Sequence, residues 1–162
     1  MKLFEDMTQA RPFIKWVGGK TQLLDEVRKS LPRDFASRQQ VTYVEPFVGG
    51  GAVMFWILQA YPNIERAVIN DINQELICTY RVIKENVEEL IAELAHIQEE
   101  YIPLGAEDRK AFFIEKRARF NTKQTTPVET AALFIFLNRT CFNGLYRVNP
   151  KGEFNVRHGK YA

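Results

Sequence analysis

The chain has 162 residues, 46% of them hydrophobic and 12% aromatic, and its formal net charge at pH 7 is +2. These values indicate one folded domain, or most of one, with a hydrophobic core and exclude a disordered or low-complexity chain. No apolar run approaches the roughly 20 residues that a membrane span needs, and neither cysteine has metal-ligand spacing. We therefore expect a cytoplasmic protein with reduced thiols, no membrane contact and no bound metal.

Two basic stretches stand out against this small net charge. Residues 109–123 contain six Lys and Arg side chains against one Glu, and residues 138–162 contain five against one, with aromatic residues interleaved. Such stretches fit a nucleic-acid surface, where cations neutralise phosphates, although solvated helix faces are the alternative. Residues 85–108 hold eight acidic side chains and no Lys or Arg, and there the solvated face is the better interpretation.

The first half of the chain has the pattern of a βαβ unit. After a leader over residues 1–12, apolar positions at helical spacing predict a helix over residues 21–31. A strand near 43–48 is followed by a glycine-rich turn, a buried helix and a second strand near 67–70, which ends at Asp71. This order predicts an α/β fold.

The next part of the chain is predicted to be helical. Asn73 can cap a helix whose apolar stripe lies at positions 76, 77, 80 and 83. A capping box of Asn86 and Glu89 predicts a break, after which the helix restarts with apolar positions 90, 91, 94 and 97.

The last third predicts two more helices and a hairpin. Residues 107–121 form a basic helix, and Thr126, followed by Pro127 and Glu129, is a sound start for a buried one. The pattern LYRVNPKGEFNVRHG then predicts a β-hairpin that turns near residues 150–152.

The stretch FIKWVGGKT raises the question of a phosphate-binding loop. Such a loop requires G-x-x-x-x-G-K-[ST], in which backbone N–H groups wrap a phosphate. Gly19, Lys20 and Thr21 fit this pattern, but Ile14 stands where the first glycine is needed, and a polar stretch precedes it instead of a buried strand. An ATP-dependent enzyme is therefore a remote alternative.

Two later segments, YVEPFVGGG and VINDIN, have the pattern of a nucleoside site. A glycine-rich turn after a first strand lets a ligand approach the backbone, and an acid at the end of the second strand, here Asp71, can hold ribose hydroxyls. The turn is not G-x-G-x-x-G, so a dinucleotide is not signalled. An adenosine ligand without a pyrophosphate fits better, and S-adenosylmethionine is the leading candidate.

The order of four motifs makes this interpretation specific. PFIKWVGGK, YVEPFVGGGAV, VINDIN and NRTCFNGLYRVNPKGEFNV together resemble the Dam-type (D12 class) DNA adenine-N6 methyltransferases, from residue 11 to about residue 161. The resemblance implies a partial Rossmann-like, S-adenosylmethionine-dependent methyltransferase fold, with a helical target-recognition region and a β-hairpin. It assigns residues 13–84 to the cofactor domain and residues 85–162 to recognition of double-stranded DNA.

The resemblance also implies residue roles. Lys20 would pair with the methionyl carboxylate, Trp16 would pack against the cofactor, and Asp71 would hold the ribose. The full set of implied cofactor contacts is Trp16, Lys20, Glu45, Pro46, Phe47, Gly49, Gly51 and Asp71. The implied DNA contacts are Lys15, Asn138, Arg139, Asn143 and Arg147.

Each role has a structural alternative. Trp16 could be a core aromatic residue, Lys20 a surface cation, Asp71 a helix cap, and Asn143 with Gly144 an ordinary turn. Arg157 departs from the family pattern, which usually has Pro there, so the path of the second hairpin strand is open at this point.

One part of the family pattern is absent. The D-P-P-Y-type motif that holds the amino group of a flipped adenine needs adjacent prolines, and the seven prolines here are all separated. We therefore expect no catalytic residue in this chain, an inactive N-terminal portion of the enzyme, and association with another copy or with a missing C-terminal half. The alternative is a non-catalytic DNA-binding or regulatory remnant. The target site and the biological role, in restriction-modification, repair or a phage, stay open.

Overall fold

The computed structural model describes residues 9–159, and these residues form two compact units. The first unit contains residues 9–13 and 18–71. The second contains residues 14–17 and 72–159.

The described part of the chain has six α-helices and two β-strands. The strands are β1 (Val41–Glu45) and β2 (Ile64–Ile69). The helices are α1 (Leu24–Ser30), α2 (Ala52–Ala60), α3 (Gln74–Glu85), α4 (Val87–Tyr101), α5 (Ala106–Asn121) and α6 (Pro127–Thr140). Within residues 9–159, no helix is both long and apolar enough to cross a membrane.

The predicted βαβ unit is confirmed in the first unit. Strands β1 and β2 pair in parallel, with Val44 opposite Val68, and α2 connects them. The first strand ends earlier than predicted, at Glu45, because Pro46 has no N–H group to donate to the ladder. One more main-chain bond, from Val48 N to Asn70 O at 2.9 Å, closes the turn that follows.

The helix predicted over residues 21–31 is shorter and more exposed than its pattern indicated. Residues Lys20–Leu23 form a 3₁₀ turn, and α1 begins at Leu24. It ends at Ser30, since Leu31 precedes Pro32 and is extended there. None of its residues is buried.

The second unit is organised around α6, against which α3, α4 and α5 pack. This helix is apolar on nearly all sides, as expected of a helix at the centre of a core. The start predicted for it is confirmed, because Thr126 Oγ1 accepts a hydrogen bond from Glu129 N at 3.2 Å. The basic helix predicted over residues 107–121 is confirmed as α5.

The break between α3 and α4 is confirmed, but its chemistry differs from the prediction. The Asn73 cap is confirmed, since its Oδ1 accepts from Leu76 N at 2.7 Å. Asn86 instead donates from its side-chain amide to the Glu89 carboxylate at 2.9 Å, so no capping box forms. The buried positions of α3 also differ from the predicted stripe, and they are Leu76, Thr79, Tyr80 and Val82.

The predicted hairpin turn is confirmed, with very short pairing. Val148 and Phe154 form an antiparallel bridge, and Gly152 N donates to Asn149 O at 2.9 Å. The Asn149 side chain accepts from Lys151 N and Glu153 N, which fixes the turn locally.

Candidate functional site

The turn between β1 and α2, residues 45–51, is shaped by two buried glycines. Gly49 (φ 51°) and Gly51 (φ 80°) both adopt the left-handed conformation that favours glycine. Gly49 N donates to the Asp71 carboxylate at 3.0 Å. The acid after the second strand is thus fixed against the glycine-rich turn after the first.

A polar network supports the base of this turn. Glu45 is 6% exposed, and its Oε1 lies 2.7 Å from Lys20 Nζ. The same ammonium group also donates to the carbonyl oxygen of Phe47. Lys20 therefore compensates a buried carboxylate and holds the main chain of the turn.

Tyr43 completes the network on the strand side. Its hydroxyl donates to Glu45 Oε2 at 2.6 Å. Partial burial, followed by the hydrogen bond and the charge of Glu45, raises the pKa of Tyr43 above its usual range. The phenol is therefore protonated at neutral pH and serves as a donor.

The turn presents its apolar tip to solvent. Phe47 is 72% exposed and Pro46 is exposed beside it, while Val48 is buried and anchors the segment. An exposed aromatic side chain next to left-handed glycines is a suitable surface for a flat or flexible ligand.

In the second unit, Asn138 fixes Lys15 through both main-chain groups. Its Oδ1 accepts from Lys15 N at 2.9 Å, and its Nδ2 donates to Lys15 O at 2.8 Å and to Gly144 O at 3.0 Å. The side chain is 2% exposed. A Cβ atom on Gly144, whose φ is +62°, would lie 2.5 Å from Lys15 Cβ, so only glycine fits there.

Trp16 continues this contact with an aromatic cluster. Its ring stacks on Tyr146 with centroids 5.7 Å apart and lies 6.2 Å from Phe134. The Tyr146 hydroxyl lies 3.2 Å from the Glu75 carboxylate, and Lys123 pairs with the same Glu75. Partial burial, and then the charge of Glu75, raises the pKa of Tyr146 to about 12.

The remaining residues predicted to contact DNA are exposed. Arg139 and Arg147 lie at the surface, and Arg147 Nε donates to Asn155 Oδ1 at 2.8 Å. Asn143 is exposed with φ 55° in the turn after α6. Lys15 is exposed as well. Asn138 differs from these four because it is buried and fully engaged with main-chain groups.

Sequence reasoning missed Tyr43, Glu75 and Tyr146. A signal existed for Tyr43, because side chains two residues apart on a strand share a face, which places it beside Glu45. Glu75 and Tyr146 are far apart in sequence, so only the folded structure brings them together. Among residues 9–159, no group of three or more His, Cys, Asp or Glu side chains could hold a metal ion.

Comparison with known proteins gives the class of this fold and site. A model of the D12 class N6 adenine-specific DNA methyltransferases matches residues 16–162. The chain is 46% identical over 155 residues to the Type II methyltransferase M.MjaIII of Methanocaldococcus jannaschii, covering 94% of this chain and 53% of that relative. It is 39% identical over 153 residues to a DNA adenine methylase of Haemophilus influenzae, covering 93% and 48%. It is 36% identical over 155 residues to a DNA adenine methylase of Escherichia coli, covering 96% and 50%.

The chain belongs to the D12 class of N6 adenine-specific DNA methyltransferases. The resemblance carried by the four sequence motifs is thereby confirmed. The chain spans about half the length of the curated relatives it matches.

Proposed function

We propose that this protein takes part in the transfer of a methyl group from S-adenosylmethionine to adenine N6 at specific sites in double-stranded DNA. The observation that carries the proposal is the hydrogen bond between Gly49 N and the Asp71 carboxylate, in a chain of this family. It joins the glycine-rich turn and the acid that follow consecutive parallel strands, the arrangement that suits an adenosine ligand in a Rossmann-like fold.

The first unit supplies the cofactor contacts in this proposal. S-adenosylmethionine, when bound, supplies an activated methyl group on a sulfonium centre. Left-handed glycines at positions 49 and 51 support the fit, because they leave no side chain between the ligand and the backbone. Asp71 would hold ribose hydroxyls, since a carboxylate can accept several hydrogen bonds at once. Glu45, Pro46 and Phe47 complete the proposed contact surface.

Lys20 has partners of its own in the first unit, besides the cofactor contact that the resemblance implies. We assign it to neutralising Glu45 and holding the Phe47 carbonyl, both of which it contacts. Trp16 is likewise assigned to anchoring its own segment on Tyr146. Lys20 and its partners lie in the first unit, whereas Trp16 and Tyr146 lie in the second.

The second unit supplies DNA recognition in this proposal. Exposed Lys15, Arg139, Asn143 and Arg147 are positioned for phosphate or base contacts, which require accessible donors. Asn138 acts as a positioning residue, because its buried amide holds the Lys15 main chain.

We propose that these 162 residues do not activate adenine N6 by themselves. The chain has no adjacent prolines and therefore no D-P-P-Y-type segment to hold the amino group. The same absence favours the second candidate, a non-catalytic DNA-binding remnant. Incubation with tritiated S-adenosylmethionine and DNA should leave the DNA unlabelled, and labelled DNA would contradict this part of the proposal.

The exposed face of the sheet suggests an association. Val44 and Val68 are opposite each other and are 60% and 39% exposed, although parallel sheets normally have both faces covered. We propose that this face is covered in the working protein, by a second copy of the chain or by the additional length that its relatives possess.

Calorimetric titration of S-adenosylmethionine tests the central proposal. Binding to the unchanged chain, abolished by Asp71→Ala and weakened by Asp71→Asn, is the expected result. Asp25→Ala is the matched control, because Asp25 is an exposed acid of the same unit on α1. Equal binding of S-adenosylmethionine by all four proteins would exclude Asp71 from the site. An unchanged chain that binds DNA but not S-adenosylmethionine would favour the second candidate.

A further inference from the structure

The second unit contains an open groove with a strongly basic lining. It has a volume of about 710 Å³ and lies between α5 and the segment formed by residues 157–159. Its ionisable lining residues are Glu107, Arg109, Lys110, Arg117, Arg157 and His158. Four permanent cations therefore face one carboxylate.

The wall opposite α5 is fixed by main-chain bonds. Phe142 N donates to Arg157 O at 2.9 Å, and Gly159 N donates to Thr140 O at 2.8 Å. A Cβ atom on Gly159 would lie 3.0 Å from Thr140 O, so the segment packs closely on the end of α6. The groove is thus a feature of the folded unit and does not depend on side-chain placement alone.

Aromatic rings and carbonyl groups hold the guanidinium groups in place. Arg109 lies 5.1 Å from the ring of Tyr101 and donates to Ile102 O at 2.6 Å. Arg157 lies 4.4 Å from the ring of Phe142. Cations held in this way lose less side-chain freedom when they bind an anion.

His158 reports the electrostatic character of the groove. Its Nε2 lies 2.9 Å from the Tyr101 hydroxyl. Partial burial, and then the positive charges of Arg109 and Lys110, lowers the pKa of His158 below its usual value. The charges of Arg109 and Lys110, which are the smaller cause of this shift, also attract anions.

Three of the four cations of the groove lack a neutralising carboxylate within the described part of the chain. Among residues 9–159, Lys110, Arg117 and Arg157 form no ion pair with a carboxylate. Converging like charges are unfavourable unless an anion compensates them. Because Lys110 and Arg157 are exposed at an open groove, the site suits a backbone phosphate of a polymer better than an enclosed small ion.

We propose that this groove, lined by Arg109, Lys110, Arg117, Arg157 and His158, binds the phosphodiester backbone of DNA outside the hairpin. The inference rests on the proposed DNA-binding function. It adds a second, sequence-independent contact on the same unit, formed by α5 and by the segment that follows the hairpin. Arg157, which stands where the family usually has Pro, would make part of this contact particular to this chain.

Fluorescence anisotropy with a labelled duplex, measured over a range of salt concentrations, tests the groove. The slope of log K against log salt is negative, and each lost phosphate contact reduces its magnitude by about 0.9. Lys110→Gln with Arg157→Gln should therefore reduce the magnitude by about two. The loss should be equal for duplexes of different sequence. Arg81→Gln with Lys84→Gln removes the same charge from an exposed face of α3 and should leave the slope nearly unchanged.

The single variant Lys110→Gln repeats the measurement of the salt slope in a protein that should fold normally, because Lys110 is an exposed helix residue. It should reduce the magnitude of the salt slope by about one. No duplex binding by the unchanged chain would overturn the proposed function together with this inference. Normal binding with an unchanged slope in both groove variants would overturn the groove alone.

Proton NMR of the two histidines separates DNA from a small anion. Duplex should raise the pKa of His158 and leave the ring-proton resonances of His96, which lies beside Glu100 on α4, in place. Inorganic phosphate at the same phosphate concentration should have a much smaller effect. An equal effect of phosphate and duplex would contradict the inference and indicate a small-anion site.

Discussion

The two units bury their residues very differently. In the second unit, α6 buries eight of its 14 residues, whereas β2 in the first unit buries none of its six. Helices packed around a central apolar helix make a core without further partners, but a parallel sheet of two strands cannot cover both of its faces. We infer that the second unit is stable by its own packing. The proposed cofactor turn relies more on the polar contacts among Lys20, Tyr43 and Glu45.

The largest expected effect is a core truncation in the second unit. Phe120 is buried, with ring centroids 6.5 Å from Phe134 and 6.3 Å from Phe154. Phe120→Ala should lower the free energy of unfolding by about 3–5 kcal/mol, since it removes buried surface and leaves a cavity. Val68→Ala in β2 should cost less than about 1 kcal/mol because that side chain is partly exposed. Urea unfolding of both variants measures the contrast, and equal losses would contradict it.

The contact between Gly144 and Lys15 gives the next largest effect. Gly144→Ala should lower the free energy of unfolding by about 2–3 kcal/mol, because it combines backbone strain with a clash. Gly152→Ala is the matched control, since its φ is +77° but no atom lies within 4 Å of the added Cβ. The control should cost only about 1 kcal/mol of backbone strain. Urea unfolding compares the two variants. A loss of stability in Gly144→Ala no larger than in Gly152→Ala would show that Lys15 moves aside for the added Cβ atom.

Local signals in the sequence were enough for the framework of both units. The glycine-rich turn, the Asn73 cap and the Thr126 cap each depend on a few neighbouring residues, and all three have the expected conformation. The burial of Asn138 could not be read in this way, because its partners are a residue 123 positions away and the turn after α6. Asn86 lies between these cases, since its spacing from Glu89 suits a capping box but the two side chains bond to each other.

The same limit applies to the candidate site. The position of Asp71 beside the turn followed from βαβ topology, which brings the carboxyl ends of consecutive parallel strands together. The partner of Lys20 could not be predicted from the sequence, because no periodic pattern defines the path of the segment that leads into the 3₁₀ turn at Lys20. Its pairing with Glu45 is a property of the fold.

Loss of the Tyr43 hydroxyl should have a smaller effect, confined to the first unit. Tyr43→Phe removes one hydrogen bond to a buried carboxylate and should lower the free energy of unfolding by about 1–2 kcal/mol. It should also weaken S-adenosylmethionine binding, because Glu45 and Lys20 support the turn. Tyr61→Phe is the control, since its ring packs on Phe35 and Trp56. Calorimetry and urea unfolding give both readings, and identical behaviour of the two variants would remove Tyr43 from the network.

The smallest effect on stability is expected for substitutions on the exposed face of the sheet. The same substitutions are the most direct test of what covers that face. Val44→Thr with Val68→Thr keeps β-branched side chains in both strands and should change the free energy of unfolding of the single chain by less than about 0.5 kcal/mol. If a second copy covers this face, sedimentation velocity should show concentration-dependent association of the unchanged chain and weaker association of the variant. A chain that stays monomeric at every concentration would exclude the second copy. The exposed valines would then be a surface for the additional length that the relatives possess.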